Sequence, residues 1–256
     1  MKKKILTALA LTLCAVVLVV ASVLGTIAYL SASVTVSNTF TIGNIAIHLH
    51  ESVVNDQGVA LPENPSINGT MKDSDGNTYH LIPGHNYCKD PTVYVVPGSE
   101  SAYLFVYVQN GIEAIEEGNF HESGHGDYDD INDTLAPTIH EQMVANGWYR
   151  YKTGTKGVVY YYSVKDSEGK ATSAPLTVAG GDTTLELPVF QEFTLDKHAD
   201  SVLSAYANAE VNITAFAIQS VGFNDDATTA DKNEAIDAAW EAIMEAYPAK
   251  TDLPNA

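Results

Sequence analysis

His121-Glu122-Ser123-Gly124-His125 matches H-E-x-x-H, in which two histidines one helical turn apart hold zinc and the glutamate activates the metal-bound water. The chemistry requires a helix that presents His121 and His125 on one face, with Glu122 as the general base. Gly118, Gly124 and Gly126 bracket or interrupt the motif, and almost no apolar periodicity is present to bury such a helix. The motif therefore reads first as a histidine-bearing loop, and zinc is not expected. His140-Glu141 begins a second partial match, but Val144 stands where the second histidine would be. Asp127, Asp129, Asp130 and Asp133 crowd oxygen ligands that suit a hard cation such as calcium. They lack the glycine of an EF-hand loop, so a solvated acidic loop is the simpler reading. Asp73-Ser74-Asp75-Gly76-Asn77 is likewise read as a hairpin turn rather than a calcium loop. No glycine-rich phosphate loop, G-x-S-x-G elbow or paired-cysteine motif occurs. No cofactor is expected, with calcium the metal left open.

The elements that would position any site begin with a leader. Three lysines, an apolar run from Ile5 to Leu24 and the small-residue stretch Thr26-Ile27-Ala28 read as a signal peptide over residues 1–28, cut between Ala28 and Tyr29. Retention of the run as a membrane anchor is the alternative, since about 20 apolar residues span a bilayer. Cys14 leaves with the leader, so Cys88 is alone and no internal disulfide is expected. Without Lys2, Lys3 and Lys4, ten basic residues face 32 acidic ones, a net charge of −22. Nucleic-acid binding, which depends on lysine and arginine neutralising phosphates, is excluded, and so is adhesion to an anionic membrane after processing.

Leu30, Ala32, Val34, Val36, Phe40 and Ile42 keep one parity, broken at Asn38, as in a strand with one buried face. At Gly43-Asn44 the parity flips, and Ile45, Ile47, Leu49 and Val53 carry the apolar set onward. Two strands preceded by Pro-Gly turns are expected over 83–108, the second apolar on both faces. An acidic insertion at 109–146 is expected to be partly helical around 112–117 and 137–146. Aromatic strands at 147–151 and 158–164 follow, then extended chain at 183–195 with Pro188 marking an edge, and a strand at 211–221. Ile236, Trp240, Ile243 and Tyr247, with Ala239 and Met244 beside them, form the stripe of a C-terminal helix at 230–247.

The stretch F-T-I-G-N-I-A-I-H-L-H-E (Phe40–Glu51) behind a long leader resembles the TasA/camelysin family. So do P-G…K-D-P-T-V-Y-V-V-P-G-S-E-S-A-Y-L-F-V-Y-V over 83–108 and the late A-x-A-I-Q…G-F strand ending at Phe223. The resemblance implies processing by a SipW-type signal peptidase and secretion to the matrix or surface of a Gram-positive-type bacterium. It also implies assembly into biofilm-matrix fibres by donation of an N-terminal strand. The expected fold is all-β: a single antiparallel, jelly-roll-like β-sandwich over 29–256 with helical insertions and a C-terminal helix. Residues 29–42 are the candidate donor strand, either lent to another copy of the chain or folded back into its own sandwich; nothing in the residues fixes whose edge it completes. Camelysin-like proteins have been classed as metallopeptidases, so a secreted zinc peptidase is the rival, and a monomeric cell-surface adhesin a third reading.

Overall fold

The protein is described by a computed structural model for residues 31–33, 36–42, 45–61, 76–122, 135–163, 168, 184–220, 223, 232–248 and 253–254. Among these residues the chain forms β1 (Ser31–Ser33), β2 (Val36–Ile42), β3 (Ile47–His50), β4 (Thr78–His80), β5 (Asn86–Cys88), β6 (Thr92–Val95) and β7 (Ala102–Asn110). Helices α1 (Glu117–Glu122) and α2 (Ile139–Ala145) follow. Then come β8 (Trp148–Thr153), β9 (Val158–Tyr162), β10 (Leu185–Pro188), β11 (Glu192–Thr194), β12 (Val211–Gln219) and helix α3 (Lys232–Ala246).

The doubly apolar strands set the architecture. A five-stranded sheet runs β2-β12-β7-β9-β8, with β7 and β12 paired over nine residues at its centre. One of its faces, carrying Leu104, Val106, Ile213 and Ala215, packs on Ile47, Leu49, Val93, Val95 and Leu187 of the three-stranded sheet β10-β6-β3. The pairs β5–β11 and β1–β4 complete the described strands. Tyr103, Phe105, Phe216 and Ile218 on the opposite face pack against Ile236, Ala239, Trp240 and Ile243 of α3. The large sheet is therefore the middle of three layers, so both parities of β7 and β12 are apolar.

The all-β class holds, and every described strand pair is antiparallel except β2 with β12, which is parallel. A parallel pair needs a long crossover, and this one joins the chain's first long strand to its last. The N-terminal segment contributes to two sheets, β1 pairing with β4 and β2 with β12. The expected two strands over 83–108 are three. Lys89-Asp90-Pro91 separates β5 from β6, as 189–191 separates β10 from β11 on the facing segment. Bonds from Lys89 N to Gln191 O (3.1 Å) and from Val189 N to Pro91 O (2.8 Å) bridge the break. Pro91 lacks an N–H, so a regular ladder cannot run through it. No helix among the described residues is long and apolar enough to cross a membrane.

Candidate functional site

The seat of β2 is the first candidate. Val36 and Ser37 lie opposite Ile213 and Thr214, and Phe40, Thr41 and Ile42 opposite Phe216, Ala217 and Ile218. Asn38 and Thr39 thus face a single residue of β12, the arrangement of a bulge, at the position where the apolar parity breaks in the sequence. On its other side β12 makes an unbroken antiparallel ladder with β7 from Val211 to Gln219. Among the described residues β2 is therefore an edge strand, and without it the edge would be β12, buried on both faces. Of the expected assembly residues, Ala32 lies in β1 and Val36, Phe40 and Ile42 in β2; Leu30, Val34 and the cleavage pair Ala28 and Tyr29 lie outside the described residues.

The zinc-like motif falls at the end of α1. Phe120 anchors this six-residue helix by burial, and a Cβ on Gly118 would come within 2.9 Å of Thr138 Cγ2, so α1 abuts the start of α2. His121 and Glu122 are its last two residues. His125 and the acidic run Asp127, Asp129, Asp130 and Asp133 lie outside the described residues. Among the described residues no group of three or more histidine, cysteine, aspartate or glutamate side chains could hold a metal ion.

Two polar clusters were not anticipated. In the first, Glu116 is buried; its carboxylate accepts from Asn110 Nδ2 at 2.5 Å and from Ile139 N at 2.6 Å, the latter a free donor in the first turn of α2. Burial pushes its pKa up to about 7, against the lowering effect of those two bonds. Thr138 and Glu141 complete the α2 start as a capping box, with Glu141 N donating to Thr138 Oγ1 at 3.2 Å and Thr138 N to Glu141 Oε2 at 2.8 Å. Glu116 borders a cleft of about 260 Å³ that also meets His140 and Tyr160, whose Nδ1 and hydroxyl are 3.1 Å apart. Both Glu116 oxygens are engaged, so the carboxyl caps a helix rather than facing a substrate.

The second cluster lies between the small sheets. Lys89 Nζ donates to Glu51 Oε2 at 2.9 Å, and both side chains are 0 % exposed. Glu51 Oε1 accepts from Asn77 Nδ2 at 3.0 Å and from the Tyr79 hydroxyl at 3.3 Å; that hydroxyl also donates to Cys88 O at 2.9 Å. Asp90 accepts from Ser52 N at 2.8 Å and from Ser52 Oγ at 2.6 Å, fixing the chain beside Glu51. Desolvation lowers the Lys89 pKa, opposed by Glu51, and burial with the nearby Asp90 and Glu51 charges raises the Cys88 thiol to about 11. Cys88 is thus a poor nucleophile at neutral pH.

The chain matches no protein-family model, no curated protein and no solved structure. The functional reading therefore rests on its own residues and the likeness they carry.

Proposed function

We propose that this protein is a secreted structural subunit that assembles head to tail by donating residues 29–42, β2 of one copy (Val36–Ile42) completing the five-stranded sheet of the next. One observation carries the reading: β2 is an edge strand laid parallel on β12 with no tight turn between them. A hairpin fixes its own partner, whereas a strand held only by a remote ladder forms the same ladder on a second copy. If β2 leaves, β12 exposes a row of unpaired backbone groups, a template for strand addition. Only residues 43–46 join β2 to β3, and a short hinge under strain invites exchange between copies. Donation that does not close by symmetry produces a filament. The leader and the TasA/camelysin-like segments favour an extracellular matrix setting, with a SipW-type peptidase freeing Tyr29.

Truncation tests this. Mature protein lacking residues 29–42 is expected to form no filaments by electron microscopy, yet to bind a synthetic peptide of residues 29–42. Filaments formed by the truncated chain as readily as by the mature one would overturn the reading.

A further inference from the structure

Three polar side chains occupy positions that strand alternation reserves for the core. Glu51 continues the buried set Ile45, Ile47 and Leu49; Lys89 follows Tyr87 and precedes Val93 and Val95; Asn77 precedes Tyr79 and Leu81. Exposure is 0 % for Glu51 and Lys89 and 5 % for Asn77. A buried ion pair is often no more stabilising than apolar residues of equal volume, so its presence calls for a further reason.

The arrangement supplies one. A single carboxylate spans an amine and a carboxamide, Oε2 taking Lys89 Nζ at 2.9 Å and Oε1 taking Asn77 Nδ2 at 3.0 Å. The carboxamide is held at both ends: Nδ2 also donates to Ser52 O at 2.8 Å, and Oδ1 accepts from Val54 N at 3.1 Å. Tyr79 closes one side through its bond to Oε1, and the Phe190 ring centre lies 6.0 Å from Nζ. Both reacting groups are buried.

The geometry points to an intramolecular isopeptide bond between Lys89 Nζ and Asn77 Cγ, formed by the protein on itself with Glu51 as proton carrier. Glu51 removes a proton from the Lys89 ammonium, and the freed electron pair on Nζ attacks Cγ. Negative charge then gathers on Oδ1, where the Val54 N–H already donates. A second proton leaves Nζ as the Cγ–Nδ2 bond breaks. Nδ2 departs with both protons as ammonium, its own two hydrogens included, and Glu51 ends as the carboxylate it began as. No oxidant or cofactor is consumed. Desolvation of Lys89 favours the neutral amine the attack needs, and the fixed contacts replace a bimolecular encounter. The product ties the segment before β4 to the segment after β5 by a link that reductants do not open. In a mature chain expected to carry a single cysteine, it takes the place a disulfide would fill. The proposal stands whether or not copies assemble.

Intact-mass measurement and peptide mapping of the full mature chain, with no variant needed, test it. The expected mass is one ammonia below that of the sequence, with a branched peptide joining Lys89 to Asn77 in the digest. Glu51→Gln, which keeps the side-chain volume but cannot carry the proton, is expected at full sequence mass with both peptides linear. A wild-type chain at full sequence mass with unmodified Lys89 and Asn77 would overturn the proposal. A chain lighter by one water, linking Lys89 to Glu51 instead, would overturn it equally.

Discussion

Glu116 shows how one buried carboxyl gives the whole domain a pH dependence. Its folded pKa, about 7, stands above its unfolded value, so the folded chain holds a proton there that the unfolded chain releases. The resulting stability is fully present below about pH 4.5 and is lost as pH rises through about 7, on the order of 3 kcal/mol in all. Urea unfolding across that range should show this step in the wild type, while Glu116→Gln should lose it and retain only the shallower slope from the net acidic charge. Equal slopes in the two proteins would show that Glu116 is ionised when buried. At this scale the sequence was partly legible. The inward parity of Glu51 follows directly from Ile45, Ile47 and Leu49, and Thr138-x-x-Glu141 is a capping-box signature. What could not be read was that Glu51, Asn77 and Lys89 meet, because that depends on three strand registers at once. For the H-E-x-x-H motif, α1 ends with its first two residues, and nothing among the described residues adds a ligand.

Helix α3 is the element whose role was most legible. The 3.6-residue spacing of Ile236, Trp240 and Ile243 defined its buried stripe, and the apolar residues on both faces of β7 marked a strand at the centre of the fold. Trp240 is its anchor: its ring centre lies 5.3 Å from that of Phe105 and 5.8 Å from that of Phe216, and Nε1 donates to Pro254 O at 3.3 Å. The Tyr151 hydroxyl adds a bond to Asp237 on the same helix. Trp240→Ala should cost about 3–5 kcal/mol of unfolding free energy, and Trp240→Phe markedly less, as read from urea midpoints. A loss below about 1 kcal/mol for the alanine variant would mean that α3 does not support the sheet. Boundaries were less legible than elements. The split of 31–42 between two sheets and the interruption at 89–91 are set by which neighbours pair, β4 against β12 and β11 against β10, and local alternation carries no such information. Pro91 was the local sign of the second break, and the odd residue Asn38 of the bulge that β2 makes against β12.

For the molecule as a whole, net charge opposes the strand exchange proposed for β2. The full sequence carries −19, and a chain cut after Ala28 would carry −22; either charge repels its copies, and salt screens that repulsion over a Debye length that falls from about 10 Å at 0.1 M to about 3 Å at 1 M. Assembly followed by light scattering should therefore speed up with added salt and with acid; rates independent of both would remove charge as the control. The central claim is that β2 of one copy occupies the edge of another. Ser37 lies opposite Thr214, so Ser37→Cys with Thr214→Cys places a trap across the ladder. The decisive measurement is mass spectrometry of filaments grown from an equal mixture of isotopically heavy and light chains of this double variant, oxidised after assembly. Donation between copies predicts disulfide-linked peptide pairs that join a heavy chain to a light one. Filaments in which every such pair comes from a single chain would contradict it.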